Sequence, residues 1–193
     1  MKSEDGPPRA RVGGAQDFLA FLDHRQPGTR QHFSKVLPAL ISEAISERAR
    51  TDWLDVETID GPFVTAVVEW LGSEEAREAW RTFTCTTFVR TPALRPIVDG
   101  AVRVFGLSVS SLLKVFPLGY QQSYRGCAVV TTRIGHGEAS LEMELTPVYA
   151  RVAAYAVQLH GVFLAIYDIA RTRPRLEYAP DLRSGVIRAC FRW

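Results

Sequence analysis

Lysine is nearly missing from this chain: Lys2, Lys35 and Lys114 stand against twenty arginines. Arginine's planar fork suits bidentate contacts with carboxylate or phosphate, yet Asp and Glu number 21 and the formal net charge is only +2. A charge that small argues against a global attraction to nucleic acid or an anionic membrane. The Arg-for-Lys bias reads first as the mark of a GC-rich genome. Cysteine is scarce too. Cys85, Cys127 and Cys190 are odd in number and widely spaced, with no CxxC and no Cys/His zinc spacing. That pattern points to reduced thiols in a cytoplasmic protein, with no metal site. No G-x-S-x-G, P-loop or H-E-x-x-H occurs, so the common hydrolase, nucleotide and metalloprotease machinery is not expected. The opening MKSEDGPPRARVGGAQ lacks the apolar region of a secretory signal.

One segment has no charge at all. Val152–Tyr167 (VAAYAVQLHGVFLAIY) contains no Asp, Glu, Lys or Arg. As a helix it spans roughly 24 Å at ~1.5 Å per residue, short of the ~30 Å of a hydrocarbon core. Gln158, His160 and Gly161 sit near its middle, where polar groups are costly in lipid. The segment reads as a buried helix, and no membrane association is expected.

What is present suits a globular core: hydrophobic residues make up 47% of 193 and charged residues 23%. Residues 1–14, rich in Pro, Gly and mixed charge, read as a flexible leader, followed by a single α+β domain over 15–193. Its helical part covers 15–125. Phe18, Leu19, Phe21 and Leu22 form a short amphipathic helix ending before Pro27-Gly28. Thr29 is placed to cap a helix through Phe33, Val36, Leu37, Leu40, Ile41 and Ile45, with a kink or break at Pro38. TDWLDVETIDGP reads as a connector. Helices follow over Phe63–Leu71, Ser73–Phe83 and Pro92–Phe105, with Gly72 and Gly106 at C-termini. Ser108 or Ser110 caps another helix, disturbed at Pro117.

Over 126–193 the period changes. Cys127–Ile134 and Ala139–Leu145 flank Gly135-His136-Gly137 as a β-hairpin; Leu141, Met143 and Leu145 alternate with Glu142 and Glu144. An apolar helix of about Val148–Ala170 comes next, then strands at Arg175–Tyr178 and Gly185–Trp193. The fold class is therefore α+β: an N-terminal helical region followed by a β-β-α-β-β unit, with an antiparallel sheet packed on a long apolar helix.

Candidate sites are few. His160 shares a helix face with Phe163 and Tyr167, and a neutral imidazole there could ligate haem iron or anchor a small apolar ligand. The plainer reading is a core histidine donating to a backbone carbonyl. Asp52, Asp55, Glu57 and Asp60 cluster, but an EF-hand frame fails, leaving a solvated connector. Cys127 and His136 flank one hairpin without a third group to orient them, so they make no credible catalytic pair. Arg171, Arg173, Arg175, Arg183, Arg188 and Arg192 read as a solvated strand face. Catalytic and metal residues: none.

The chain resembles the DUF2378 family of myxobacterial paralogues from about Phe33 to Trp193. The resemblance is carried by Trp53, SEEAREAWRTF, RTPALRPIVDGAVRVFG, LLKVFPLGYQQSYRGC and the terminal FRW. More distantly its element order is similar to haem-nitric-oxide-binding (H-NOX) and four-vinyl-reductase ligand-binding domains. That resemblance implies a sensing or interaction role. The haem-binding members use an axial histidine before the sheet and a Tyr-x-Ser-x-Arg motif; this chain has no histidine between Arg90 and Cys127, and Tyr120, Ser123 and Arg125 are mis-spaced. The expectation is a non-enzymatic regulatory or ligand-sensing domain with a protein partner or homodimer. The alternative is a small-molecule or haem binder with a pocket near His160, Phe163 and Tyr167.

Overall fold

Helices in the first two-thirds end where backbone chemistry stops them. The computed structural model describes residues 6–92 and 94–193. In it α1 (Val12–Arg25) stops before Pro27, and α2 (Thr29–Val36) and α3 (Ala39–Glu47) are divided at Pro38. Proline disfavours helical backbone in the residue before it, and Leu37 is extended at φ −79°, ψ 144°. Thr29 does not cap as expected. Its hydroxyl donates to the Gln26 carbonyl at 2.6 Å, and left-handed Gly28 takes the cap position. α4 (Gly61–Leu71) and α6 (Arg95–Phe105) both end at glycines with positive φ, Gly72 and Gly106, with α5 (Ser73–Thr86) between them.

α7 (Val109–Ser123) opens with a full capping box between Ser108 and Ser111. Contrary to the disturbance expected at Pro117, it runs through that residue. The proline forfeits one intrahelical bond, but buried Leu112 and Leu113 before it and Tyr120 after it hold both halves in the core.

The flexible leader expected over 1–14 overlaps regular structure in its second half. Residues 1–5 lie outside the described residues, but Arg9–Arg11 form β1, the middle strand of a three-stranded antiparallel sheet. Its partners are β2 (Trp53–Asp55) and β3 (Tyr124–Arg125), with Ala10 opposite both Leu54 and Tyr124. Pairing along both edges satisfies the strand's backbone, a gain local composition cannot reveal. The expected connector likewise supplies β2 and a π-helical turn, Val56–Asp60.

β4 (Ala128–Ile134), β5 (Glu138–Leu145), β6 (Leu176–Asp181) and β7 (Val186–Arg192) form an antiparallel sheet in the order β4-β5-β7-β6. Leu141, Met143, Ile187, Ala189 and Phe191 are buried, and Glu142 and Arg188 pair on the opposite face at 2.8 Å. Between the two strand pairs lie α8 (Pro147–Ala150) and α9 (Ala154–Ile169), two helices where one was expected.

α9 is covered on both sides. Phe163 packs edge-on against Phe191 of the sheet, and Tyr167 stacks on the same ring. The Tyr167 hydroxyl donates to the Arg175 carbonyl and accepts from the Arg192 amide. On the other side Arg81 of α5 grips Asp168 with two hydrogen bonds of 2.6 and 2.7 Å. α5 crosses at Gly161, where a Cβ would collide with the Arg77 carbonyl and lie 2.9 Å from Trp80 Cβ. Glycine is there because the two helices touch backbone to backbone.

Gly161→Ala is therefore expected to lower stability in urea unfolding by about 1–3 kcal/mol. Gly100→Ala, where an added Cβ meets nothing within 4 Å, should hold or raise it by about 0.5–1 kcal/mol. Equal midpoints for the two variants would show that the α5–α9 crossing is looser than described.

Candidate functional site

A cavity of about 140 Å³ lies on the α5–α7 side of α9. Its walls follow from the helix order just described. α5 contributes Trp80, Phe83 and Thr84, α6 contributes Ile97 and Val98, α7 contributes Leu112, Phe116 and Tyr120, and α9 contributes Gln158, Leu159 and Val162. Asp60 and Phe63 enter from the π-helical turn and α4, and Ala10 and Arg11 from β1. The lining is mostly hydrocarbon and aromatic, as in sites for small ligands.

Three buried polar atoms on residues of this wall have no hydrogen-bond partner among the described residues: Trp80 Nε1, Thr84 Oγ1 and Arg11 Nε. Buried polar groups are normally paired, so these atoms are exceptions in the packing behind the cavity wall. Nearby, Tyr124 Oη and the Gln158 side-chain amide are within 3.3 Å of each other. Trp80 is itself fixed, its ring stacked on Phe18 with centroids 3.4 Å apart.

Asp60 is the buried acid of this wall, and here the expectation of a solvated carboxylate connector fails. Asp52, Asp55 and Glu57 remain at least partly accessible, whereas Asp60 is 4% exposed. Its Oδ2 accepts from Tyr155 at 2.6 Å. Burial pushes the carboxyl from 3.8 up to about 6, with the Tyr155 hydrogen bond pulling the other way. Among the described residues no group of three or more His, Cys, Asp or Glu is arranged to hold a metal ion. The π-helical turn explains the miss: it rotates Asp60 inward while Glu57 points out to Arg151 at 2.9 Å.

The residues singled out in α9 lie on its other face. His160 stacks on Tyr178 with centroids 4.5 Å apart and has no hydrogen bond to a described residue, so the expected carbonyl partner is missing. Burial lowers its pKa, assisted by the Arg77 charge. Phe163 and Tyr167 are fully buried, both against Phe191 of the sheet, and Phe163 also packs edge-on behind Phe116 of the cavity wall at 5.4 Å. None of the three lines the cavity. Helical spacing grouped them correctly with one another but could not say which face of a doubly covered helix borders empty space.

Cys127 and His136 are not brought together. They flank opposite ends of β4, whose seven residues alone span roughly 20 Å at ~3.3 Å per strand residue. The Cys127 thiol donates to the Arg125 carbonyl, and burial pushes its pKa up to about 12. Burial also raises the Cys85 thiol, aided by the Asp168 charge. In the closing strands Arg188 pairs with Glu142 and Arg192 with Glu177, as a solvated face would. A second hollow of about 600 Å³ between α1, α2 and α3 is bordered by Arg30, Gln31, Ser34 and Arg50 and lacks the first cavity's aromatic enclosure.

No protein-family model matches the chain, and no curated protein matches it. Two solved structures share its fold. One, described as "Modulating Heme Redox Potential Through Protein-Induced Porphyrin Distortion", superposes with a TM-score of 0.59 at 11% identity, over 95% of this chain and 99% of that one. Another, a point variant of Tt H-NOX, gives 0.56 at 12% identity, over 94% and 93%. The fold-level resemblance to H-NOX domains is thereby established.

The residues present do not fit haem. A haem iron needs His, Cys, Met or tyrosinate as axial ligand, and the cavity lining holds no His, Cys or Met. Its tyrosines, Tyr120 and Tyr124, are driven by burial well above the usual phenol range, which opposes tyrosinate ligation. The cavity is also small for four pyrrole rings: an enclosed space of ~150 Å³ accommodates one benzene.

The raised Asp60 pKa has a stability consequence. The folded chain holds this proton more tightly than the unfolded one, so the contribution is complete below about pH 4 and lost as pH rises through about 6. A gap of about two units corresponds to about 3 kcal/mol. Asp60→Asn, unable to ionise, should match the wild type near pH 4 and exceed it by up to about 3 kcal/mol at pH 7.5. Parallel pH profiles in urea unfolding would count against a buried, titrating Asp60.

Proposed function

We propose that this protein is a non-enzymatic ligand-sensing domain that holds a small, predominantly apolar molecule in the cavity between α5, α6, α7 and α9. The observation that carries this reading is the cavity itself, an apolar and aromatic space with the buried Asp60 carboxylate in its wall. A well-packed core has neither such a space nor a lone buried acid beside it. Polar groups at such a site orient a guest while the apolar wall supplies most of the affinity. The H-NOX-like fold of its structural neighbours supports the sensing part of the reading, and haem is not the guest. Membership of the DUF2378 family and a cytoplasmic location belong to the same proposal. No helix among the described residues is long and apolar enough to cross a membrane.

Sensing needs an output. Val104, Phe105, Leu107 and Leu118 are exposed apolar side chains on and between α6 and α7, the helices that also wall the cavity. This favours the second reading, a protein partner or homodimer contacting those helices, which light scattering and a pull-down from native cells would test.

The cavity can be filled from within. Gly119 lines it, and a Cβ there meets only Leu94 Cδ2, at 3.5 Å. Gly119→Leu is expected to weaken binding of a single-ring probe such as benzyl alcohol at least ten-fold in calorimetry, with the melting temperature kept or raised. His160→Ala should leave probe binding unchanged. A haem absorption band in the purified protein that disappears in His160→Ala would overturn both the cavity assignment and the exclusion of haem.

A further inference from the structure

Asp60 stands in the cavity wall with an incomplete set of partners. Tyr155 is its one hydrogen-bond partner among the described residues, and binds only Oδ2. The titratable groups facing it are Tyr155 from α9, Tyr120 from α7, Tyr124 from β3 and Cys127 just beyond. All four are acids whose ionisation is opposed by burial and by the Asp60 charge. Among the described residues no Arg, Lys or His acts on the Asp60 carboxyl. The nearest acid along the chain, Glu57, is engaged outside by Arg151. Arg11, the cation of the cavity wall, lies 4.8 Å over the Trp53 ring on the small sheet.

A buried carboxylate without a positive neighbour is costly. The surrounding rings of Phe63, Trp80, Tyr120 and Tyr124 have the property such a site needs in its guest. Aromatic faces attract cations and discriminate against anions, so wall and carboxylate select the same charge. Size sets the other limit, since about 140 Å³ is close to the ~150 Å³ that takes one benzene ring.

We propose that the cavity binds a small apolar amine, one ring or a short branched chain in size, as its ammonium form. The N–H donates to Asp60, and the hydrocarbon lies against Phe63, Leu112, Phe116 and Val162. This rests on the reading of the cavity as a ligand site and adds the charge of the ligand.

The test compares probes of matched shape on the full chain. At pH 7.5 benzylamine is expected to bind at least ten-fold more tightly than benzyl alcohol in calorimetry, with benzoate weaker than either. Asp60 takes up its proton below about 6, while benzylamine stays cationic, so the two affinities should converge at pH 5. Asp60→Asn should erase the preference. Tyr155→Phe retains the carboxylate and removes the hydrogen bond that lowers its pKa, so the preference should persist with its onset moved to higher pH; this variant also serves if Asp60→Asn does not fold. Alcohol binding as tight as amine binding at pH 7.5, or a preference that survives Asp60→Asn, overturns the amine while leaving a site for neutral guests. Failure of both amine and alcohol to bind overturns the cavity reading as well.

Discussion

Everything in this architecture depends on a helix that has no wet face. α9 is pressed on one side by the sheet through Phe163 and Tyr167 and on the other by α5 through Gly161. A charged side chain in its middle would be stranded in either layer, which is why the segment reads as almost transmembrane. The only acid in the helix, Asp168, sits at its last turn and is held bidentately by Arg81. The helix also decides where emptiness falls. Contact with α5 is tightest at Gly161, and farther round the same helix Leu159, Val162 and Ile166 back onto the cavity.

The cavity and the buried acid are two outcomes of one local event. The π-helical turn at Val56–Asp60 inserts extra backbone where a regular helix start would lie, and π-bulges of this kind are frequent at functional sites. The turn swings Asp60 into the interior and lets α4 begin beneath Val152. Tyr155 then meets the carboxylate, and Tyr149 stacks on Tyr155 with centroids 3.9 Å apart. The result is a polar pole in a hydrophobic interior.

Much of this was legible in the sequence, and the rest was hidden for physical reasons. The α+β class, the hairpin and the alternation of Ile187, Ala189 and Phe191 against Arg188 and Arg192 follow from period alone, because each strand has one wet face. The break at Pro38 and the ends at Gly72 and Gly106 follow from single residues. The site did not. His160, Phe163 and Tyr167 share a face as spacing required, but a helix buried all round gives no signal for which neighbour leaves a gap. Asp60 looked like one more carboxylate in a charged stretch, since nothing in DVETID announces a π turn. Ala10 was lost among prolines and glycines because its burial comes from two partners far along the chain.

That last feature bears on how the molecule is made. Ala10 is clamped between Leu54 and Tyr124, so the strand translated first among the described residues cannot complete its pairing until the chain has grown past residue 125. Local helices can form during synthesis, whereas closing so long a loop is entropically slow. The small sheet, which contributes Ala10 and Arg11 to the cavity wall, is thus the part of the fold with the longest reach along the chain, and that wall is complete only when Arg9–Arg11 has met Tyr124–Arg125.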